Sequence, residues 1–435
     1  MSKYQAYEKY KDSGIEWLGD IPEHWKSLKI KRLTSIKRGA SPRPIDDPKY
    51  FDDDGEYAWV RIADVTASDH YLEKTTQRLS KLGKSFSVPL EVGDLFLSIA
   101  GSVGKPMIAN IKCCIHDGFV YFPDLNINRK FIYYIFYSGQ PYLGLGKLGT
   151  QLNLNTETVG AITIGLPPLE EQETIARFLD HKTKQIDDLI AKKEALLEKL
   201  DEKRTALITH AVTKGLDPTA PMKDSGIKWL GDIPEHWEIK KAKYVYSQAS
   251  RPIPKSSGVV TAYRDGQVTL RENRRADGYT FAIKEVGYQG VKKGDLVIQS
   301  MDAFAGAIGV SESDGRCSPE YVICEPFNPE TSNNYYASLL RCMAQRDYIY
   351  VICPSVRERA PRFRFSTFKE LEIPIPPFKE QLDITQFFMI SLEDQLLQVK
   401  KIKEAIEKLK EYRTALITNA VTGKIDVRHI PIPQP

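Results

Sequence analysis

The motif Pro167-Pro168-Leu169-Glu170-Glu171-Gln172 begins a helical pattern that continues to Lys214-Gly215, and the rest of the chain is arranged around this long helix. Proline is tolerated in the first turn of a helix, and carboxylates there interact favourably with its positive end. Apolar residues then recur at steps of three and four, on one face of a helix: Leu179, Ile186, Leu189, Ile190, Leu196, Leu197, Leu200, Leu207 and Ile208. A cation followed by glycine is typical of a helix C-terminus.

The pattern occurs twice. Pro376-Pro377-Phe378-Lys379-Glu380-Gln381 repeats the opening, and Arg413-Thr414-Ala415-Leu416-Ile417-Thr418 repeats residues 204–209 letter for letter. Both repeats lie 209 residues after their first copies, so the two helices are predicted to have equal length, the second ending near Gly423. Its apolar face comprises Phe388, Leu392, Leu396, Val399, Ile402, Ile406, Leu409 and Leu416. Two matched helices in one chain predict an intramolecular coiled coil.

A second repeat lies upstream of each helix. Residues 11–25, Lys-Asp-Ser-Gly-Ile-Glu-Trp-Leu-Gly-Asp-Ile-Pro-Glu-His-Trp, recur at 223–237 with Glu16 replaced by Lys228. We interpret each copy as a docking peptide that packs its tryptophans, Trp17 and Trp25 in the first copy, on the domain that follows. This interpretation favours packing or hydrogen bonding over catalysis for the histidines, His24 and His236.

Two mixed regions, 26–163 and 238–372, lie between the docking peptides and the helices. Their strand-like runs are Tyr57–Val60, Asp94–Ile99, Phe119–Phe122, Ala161–Leu166, Gly258–Tyr263, Asp295–Gln299, Tyr321–Cys324 and Leu371–Ile375. Helices are predicted at Arg129–Ser138 and Asn334–Arg346. Gly93-Asp94-Leu95 matches Gly294-Asp295-Leu296, but little other identity connects the two regions. They are predicted to share one fold and to carry different surfaces.

The predicted fold class is therefore α+β. Two mixed α/β domains are separated by two long antiparallel helices in a pseudo-two-fold tandem duplication. The predicted boundaries are 1–163 for the first domain, 164–217 for the first helix region, 218–372 for the second domain and 373–435 for the second helix region with its tail. The two chain ends are expected to lie near each other.

Composition limits the alternatives. The chain has 435 residues, a net charge of +4 and 27% charged residues, so a nucleic-acid surface would have to be local. No apolar run approaches the roughly 18 residues of a membrane span, and residues 1–11 are too polar for a signal peptide. The six cysteines form no Cys-x-x-Cys pair, which favours reduced, mostly buried thiols in a cytoplasmic protein.

Motifs for catalysis and cofactor binding are missing from the sequence. Ala100-Gly101-Ser102-Val103-Gly104-Lys105-Pro106 ends like a P-loop, but Ile99 replaces the first glycine and Pro106 replaces the hydroxyl residue, which favours a strand–turn–strand. Asp52-Asp53-Asp54 is predicted to be an exposed loop rather than a metal site. We find no pairing of nucleophile and base, so the chain is predicted to be non-catalytic and to hold no cofactor or metal.

Basic and amide side chains cluster in the divergent regions. Arginine reads guanine and Asn or Gln reads adenine, while all of them also contact phosphates. An ordinary solvated surface remains the alternative for any single residue, but the clusters together favour DNA binding. The predicted DNA-binding residues are Lys37, Arg38, Arg43, Arg61, Lys105, Lys147, Gln151, Asn153, Asn155, Arg251, Arg264, Arg271, Arg274, Arg275, Gln299, Arg357, Arg359, Arg362 and Arg364.

The order of these motifs resembles that of the specificity (S) subunits of type I restriction–modification systems, over essentially the whole chain. The resemblance is carried by Ile-Pro-Glu-His-Trp at 21–25 and 233–237, Gly-Asp-Leu at 93–95 and 294–296, Pro-Pro-x-x-x-Gln at 167–172 and 376–381, and the two Arg-Thr-Ala-Leu-Ile-Thr helix ends.

This resemblance implies two target-recognition domains that each read one half of a bipartite DNA site, with the paired helices as a spacer. It also implies two modification (methyltransferase) subunits that carry S-adenosylmethionine, and restriction subunits that use ATP and Mg. The divergence of the two domains fits an asymmetric site, because identical readers would recognise a palindrome. Two alternatives stay open: a coiled-coil scaffold that joins two protein ligands, and a self-contained enzyme with a divergent site.

Overall fold

A computed structural model describes residues 4–143, 145, 154–253, 257–274, 287–353 and 362–432. The chain divides into two compact units. Unit 1 comprises Met1–Lys193 and Lys403–Pro435, and unit 2 comprises Glu194–Ile402. No helix among the described residues is long and apolar enough to cross a membrane.

Unit 1 is built from short strands and helices that lead into a long helix. In chain order they are β1 (Tyr10–Asp12), β2 (Asp20–Pro22), β3 (Lys26–Lys29), β4 (Lys37–Arg38), β5 (Tyr57–Val60), α1 (Ile62–Ala67), β6 (Tyr71–Leu72), β7 (Gln77–Leu79), α2 (Lys81–Ser85), β8 (Val88–Leu90), β9 (Leu95–Ser98), β10 (Pro106–Ala109), β11 (Cys113–Ile115), β12 (Phe119–Tyr121), α3 (Arg129–Tyr137), α4 (Thr156–Ala161), β13 (Thr163–Leu166) and α5 (Leu169–Lys214), whose second half belongs to unit 2.

Two sheets form the body of unit 1. One has the strand order β4-β12-β9-β10-β6, and the other has the order β7-β5-β11-β8. In the first sheet, Leu97 of β9 faces Val120 of β12 on one side and Pro106 of β10 on the other, both antiparallel. Helix α3 contacts β10. Strands β3 and β13 pair with each other, as do β1 and β2.

Unit 2 repeats this plan. The elements are β14 (Met222–Asp224), β15 (Asp232–Pro234), β16 (Glu238–Lys241), β17 (Tyr246–Gln248), β18 (Val260–Ala262), β19 (Val268–Leu270), β20 (Gln289–Val291), β21 (Leu296–Gln299), β22 (Ile308–Val310), β23 (Gly315–Cys317), β24 (Tyr321–Pro326), α6 (Asn333–Gln345), α7 (Tyr348–Ile352), α8 (Phe365–Phe368), β25 (Glu372–Ile375) and α9 (Phe378–Val421), whose second half belongs to unit 1.

The strand orders confirm the duplication. The unit 2 sheet runs β17-β24-β21-β22, as β4-β12-β9-β10 does in unit 1. Helix α6 contacts β22 as α3 contacts β10, and β16 pairs with β25 as β3 pairs with β13. In unit 1 the strand β6 extends this sheet, parallel to β10, and no equivalent strand lies among the described residues of unit 2. The predicted strands and helices are confirmed with end shifts of a few residues, as is the mixed α/β fold class.

The long helices have the predicted bounds. Helix α5 ends at Lys214, and Gly215 adopts a left-handed φ of 77°. Helix α9 ends at Val421, and Gly423 has a φ of 70°. Glycine reaches such angles without the steric cost that a Cβ would impose, so both helices stop where the sequence predicts.

Each unit contains an antiparallel pair of half-helices. In unit 1, Leu179 near the start of α5 shares a core with Leu416 near the end of α9, and Asp187 contacts Arg413. In unit 2, Ile208 near the end of α5 shares a core with Ile384 near the start of α9. This packing is what the prediction of an intramolecular coiled coil requires.

The predicted apolar face was wrong in part. Leu189, Leu196, Leu207, Leu392 and Leu396 are exposed rather than packed. The buried seam of α5 follows a heptad spacing through Leu179, Thr183 and Ile186, which includes a polar residue and leaves several leucines outside it. The prediction was based on hydrophobicity alone, so it included leucines that lie beside the buried seam.

Local predictions about loops are confirmed. The segment between β9 and β10 is a strand–turn–strand in which Gly101 and Gly104 have φ angles of 66° and 85°. Residues 52–54 are exposed. All six cysteines are free and buried, and burial raises the pKa of Cys114 and of Cys317 to about 12. The two chain ends meet, because the Asp426 amide donates to the Gln5 carbonyl at 2.8 Å. The predicted domain boundaries stay a prediction.

Candidate nucleic-acid interface

The repeated motifs fix each docking peptide to the start of a long helix. Glu171 of α5 accepts hydrogen bonds from Trp25 Nε1 at 2.9 Å and contacts His24 Nε2 at 2.7 Å. Glu380 of α9 has the equivalent partners, Trp237 Nε1 at 3.0 Å and His236 Nε2 at 2.9 Å. Trp25 also packs on Phe131 of α3 and Trp237 on Tyr335 of α6, with 6.4 Å between ring centres in each case, which confirms the docking interpretation. The histidines are hydrogen-bonding residues.

The glutamine after each of these glutamates joins the helix to the domain. Gln172 Oε1 accepts a hydrogen bond at 2.9 Å from the main-chain N–H of Asn128, just before α3. Gln172 Nε2 donates to the Pro167 carbonyl at 2.8 Å. Gln381 does the same with the Ser332 amide before α6 and the Pro376 carbonyl, at 2.9 and 2.8 Å. The sequence analysis did not predict that these glutamines join the helix to the domain. The recurrence of the Glu-Gln pair at the start of both long helices could have indicated it.

A first group of predicted residues surrounds the turn between β11 and β12; we call it the Asp117 cluster (Lys37, Arg38, Arg43, Arg61, His116 and Asp117). Arg43 contacts Asp117 Oδ2 at 3.1 Å, and Arg38 Nε donates to the Asp117 carbonyl at 2.5 Å. Lys37 and Arg38 are exposed on the edge strand β4. Two cations thus lie on an exposed edge strand, and Arg43 lies beside the turn.

Electrostatics ties Arg61 to the same cluster. Burial lowers the pKa of His116, and the positive charges of Arg38 and Arg61 act in the same direction, while Asp117 opposes them. Burial alone would raise the pKa of Asp117, but a hydrogen bond from Ser41 and the charge of Arg43 hold it below its usual value. Asp117 therefore stays ionised and partly offsets the local positive charge.

Two other predicted residues of unit 1 have structural roles. Lys105 Nζ donates to the Ser68 carbonyl at 2.6 Å and to the Thr66 carbonyl at 3.3 Å. Burial lowers the pKa of Lys105. Asn155 caps α4, because its Oδ1 accepts from the Thr158 amide at 2.8 Å. The Lys105 ammonium and the Asn155 side-chain oxygen, which were predicted to contact DNA, thus form hydrogen bonds within unit 1.

A second group lies in unit 2; we call it the Asp302 cluster (Arg264, Asp265, Arg274, Gln299, Asp302, Glu320 and Arg362). Arg264 contacts Asp302 at 3.0 Å, and Gln299 Oε1 accepts from the Asp302 amide at 2.5 Å. Arg274 contacts Asp265 at 2.8 Å and lies 4.2 Å from the centre of the Tyr263 ring. The residues around Arg264 and Arg274 line an open depression of about 610 Å³.

Arg362 joins the same edge. The Arg362 guanidinium contacts the Glu320 carboxylate at 2.8 Å. The Glu320 main-chain carbonyl accepts a hydrogen bond at 2.7 Å from the hydroxyl of Ser300, the residue after Gln299. The structure thus brings together four predicted residues that are far apart in the sequence: Arg264, Arg274, Gln299 and Arg362.

The remaining predicted residues of unit 2 differ in exposure. Arg251 is 17% exposed and pairs with Asp295 at 2.5 Å and with Glu325 at 3.1 Å, so it holds strands together. Arg271 Nε lies 3.4 Å from Thr261 Oγ1, and Arg364 is exposed just before α8. Six predicted residues lie outside the described residues: Lys147, Gln151, Asn153, Arg275, Arg357 and Arg359.

The two clusters occupy equivalent places. In unit 1 the Ile99 amide after β9 donates to the Gly118 carbonyl before β12 at 2.9 Å. In unit 2 the Ser300 amide after β21 donates to the Glu320 carbonyl before β24, also at 2.9 Å. Both clusters therefore gather where two equivalent turns meet, but with different side chains.

Comparison with known proteins identifies the relatives of this chain. Residues 22–199 match the family described as "Type I restriction modification DNA specificity domain". The chain is 25% identical to the putative type I restriction enzyme MjaX specificity subunit of Methanocaldococcus jannaschii, covering 94% of this chain and 96% of the relative. It is 22% identical to the MjaVIII specificity subunit of the same organism, covering 94% and 95%.

Among solved structures, the chain is similar to one from a study of complex assembly and conformational transition of the type I R-M system. The TM-score is 0.67 at 13% identity, with 93% of this chain and 99% of the other covered. At this identity the likeness concerns the fold, and it extends along the whole of the other chain.

Proposed function

We propose that this chain, which belongs to the family of type I restriction–modification specificity subunits, is the non-catalytic subunit that reads a bipartite, asymmetric DNA site. One observation carries the proposal: two copies of one scaffold present different basic clusters at equivalent turns. In unit 1 the cations surround Asp117, and in unit 2 they surround Asp302. A duplicated frame with divergent readers suits a site whose two halves differ.

The clusters have the chemistry that duplex recognition needs. Exposed arginines contact phosphates at any sequence and read guanine bidentately in the major groove. Arg43 and Arg264, with side chains 72% and 67% exposed, are well placed for such contacts. The proposed DNA-binding residues are those predicted from the sequence, led by Arg38, Arg43, Arg61, Arg264, Arg274, Gln299 and Arg362.

Catalysis belongs to the partners in this proposal. Two modification subunits that carry S-adenosylmethionine dock on the chain and methylate the site, and restriction subunits add chemistry that depends on ATP and Mg. The assembly works in the cytoplasm, where its DNA lies. The predicted boundaries, 1–163 and 218–372 for the readers and 164–217 and 373–435 for the helix regions, describe its modular plan.

The length of α5 and α9 sets the gap between the half-sites in this proposal. An insertion of one helical turn, about four residues, in each helix should change the preferred gap without changing the bases that are read. Selection of duplexes from a random pool by the assembled complex measures both properties in one experiment. A change in the bases with an unchanged gap would contradict the spacer role.

The function is tested by binding of the complex assembled with modification subunits, at several salt concentrations. Wild type should bind its selected duplex far more tightly than a scrambled duplex, and affinity should fall as salt rises, because phosphate contacts release counterions. Equal binding of both duplexes at moderate salt would refute the proposal.

A charge-reversed variant identifies the surface. Arg264→Glu with Arg274→Glu should abolish specific binding. Lys228→Glu is the matched control, because Lys228 is exposed and the first docking peptide carries glutamate at the corresponding position, Glu16. If both variants bound DNA as wild type does, the Asp302 cluster would not be the interface, and the scaffold alternative would gain support.

A further inference from the structure

Carboxylates oppose the arginines of the Asp302 cluster one by one. Asp302 contacts Arg264 at 3.0 Å, Asp265 contacts Arg274 at 2.8 Å and Glu320 contacts Arg362 at 2.8 Å. A surface that served only to attract phosphates would gain from the loss of these acids, since each cancels one positive charge. Their presence therefore calls for a physical role.

Folding stability does not supply that role. The Asp302, Asp265 and Glu320 side chains are 41%, 55% and 36% exposed, and ion pairs at such positions contribute little to stability. The Arg251–Asp295 pair differs, because both side chains are largely buried and Asp295 also accepts from the Lys292 amide at 2.8 Å. Of these four pairs, Arg251–Asp295 is structural and the other three are accessible to solvent.

Asp302 is held in place by its backbone. Its amide donates to Gln299 Oε1 at 2.5 Å, and its carbonyl accepts from the Ala305 and Ala307 amides at 3.0 and 3.1 Å. The main chain at Asp302 is therefore anchored, and its carboxylate lies beside the Arg264 guanidinium. An acceptor next to a donor is the arrangement that distinguishes base edges.

The acids affect different duplexes differently. A carboxylate repels the phosphates of every duplex, so it weakens binding that depends on phosphate contacts alone. Only a base that presents an exocyclic amine, such as cytosine N4, can donate to that carboxylate and offset the repulsion. Penalties against wrong partners are a general source of specificity.

We propose that Asp302, together with Asp265 and Glu320, determines specificity: these carboxylates suppress binding to unrelated duplexes, and Asp302 accepts a hydrogen bond from the exocyclic amine of a base in the half-site read by unit 2. Arg264, released from Asp302, then contacts the neighbouring base or phosphate. This inference rests on the proposed DNA-recognition function. The ligand is duplex DNA, and the contacted group is a base amine.

The test uses the complex assembled with modification subunits, and Asp302→Asn, Asp265→Asn and Glu320→Gln as single variants. Each substitution keeps the side-chain shape and removes one negative charge. Glu330→Gln is the matched control, because Glu330 is an exposed acid of unit 2 outside the cluster. Dissociation constants are measured for the selected duplex, for a scrambled duplex and for duplexes changed at single base pairs.

Asp302→Asn should tighten binding to the scrambled duplex several-fold, and it should lower the ratio of specific to non-specific affinity about tenfold, which is the usual worth of one base contact. Discrimination should relax at one base pair of a single half-site. Asp265→Asn and Glu320→Gln should lower the ratio less, without relaxing any one position, and Glu330→Gln should leave it unchanged.

An unchanged affinity ratio in Asp302→Asn, with both duplexes bound more tightly by the same factor, would overturn the inference while leaving the proposed function intact. Loss of discrimination by the wild-type complex would instead refute the proposed function. Thermal unfolding of each variant checks folding. Should Asp302→Asn unfold, the outcome rests on Asp265→Asn and Glu320→Gln, and an unchanged ratio in both would overturn the inference.

Discussion

Unit 1 and unit 2 are most alike in the hydrogen bonds that join each docking peptide to its long helix. They differ most in the exposed side chains of two equivalent turns. The His-Trp and Glu-Gln pairs recur in both units with nearly equal hydrogen-bond lengths, from His24 and Trp25 to Glu171 and from His236 and Trp237 to Glu380. The turns after β9 and β21 carry unrelated side chains. The repeated polar residues thus hold the common scaffold together, and the diverged residues are those that we propose for DNA recognition.

The frame itself is not fully symmetric. Glu171 is buried and also accepts from Tyr7 Oη at 2.7 Å, whereas Glu380 is 24% exposed and the position equivalent to Tyr7 is Thr219. Burial, followed by the Glu171 carboxylate, raises the pKa of Tyr7, so this hydroxyl stays a neutral donor. The first copy therefore depends more strongly on its glutamate.

The largest expected effect follows from that difference. Glu171→Ala should destabilise unit 1 by about 3–5 kcal/mol, because it leaves three donors without their acceptor. Glu380→Ala should destabilise unit 2 by only about 1–2 kcal/mol. Hydrogen exchange of the β1–β2 and β14–β15 amides measures each unit separately, with the exposed neighbour Glu170→Ala as control. Equal losses in both units would contradict the account.

A second comparison concerns two equivalent arginines, Arg413 and Arg204, that have different surroundings. Arg413 is 15% exposed, contacts Asp187 at 2.9 Å and donates to Tyr137 Oη at 2.6 Å. Its counterpart Arg204 is 34% exposed and lies 4.0 Å from Asp201. Arg413→Ala should lower the free energy of unfolding by about 2–3 kcal/mol, and Arg204→Ala by less than about 1 kcal/mol. Urea unfolding of the two variants should reveal this order, and equal losses would show that the surroundings of the two arginines do not set their contribution.

The smallest effect concerns pH and arises from His70 in unit 1. His70 is stacked between Tyr71 and Tyr133, at 4.4 and 3.9 Å between ring centres, and its Nε2 has no hydrogen-bond partner among the described residues. Burial lowers the pKa of His70 from 6.5 to about 4, with Asp180 opposing and Lys130 assisting. Between those two values the unfolded chain binds a proton that the folded chain does not, so stability falls as pH drops through this window and levels off below it.

From pH 7 to pH 5 this residue should lower the free energy of unfolding by about 2 kcal/mol. His70→Phe keeps an aromatic ring in the stack and removes the titration, so the variant should lose about 2 kcal/mol less than wild type over that interval. Urea unfolding at both pH values measures the difference. An identical pH dependence in both proteins would show that His70 does not stay neutral in the fold.

The sequence predicted the frame well because the frame depends on local signals. Proline, acid and glycine positions located both ends of α5 and α9, and the Gly-Asp-Leu repeats located β9 and β21. The seam of the helices was predicted less well, since Leu189 and Leu196 are as apolar as Leu179 and differ only in the direction they face. Hydrophobicity alone does not resolve a heptad from its neighbouring positions.

The candidate interface was predictable only in part, because through-space neighbours decide which cations are available. The sequence does not distinguish Arg251 from Arg264. In the structure, Arg251 is enclosed by Asp295 and Glu325, whereas Arg264 is exposed beside Asp302. Lys105 and Asn155 were predicted from their chemistry, and the structure shows that both also form hydrogen bonds with the backbone of unit 1. The acids of the Asp302 cluster come from three separate loops, so no spacing rule could have joined them.

In the proposed function, each divergent region reads its own half of one DNA site. The most direct measurement replaces residues 26–163 with the corresponding region of a related specificity subunit and sequences the duplexes that the assembled complex selects. The account predicts that one half-site changes while the other half-site and the gap between them stay the same. Changes in both half-sites would contradict it.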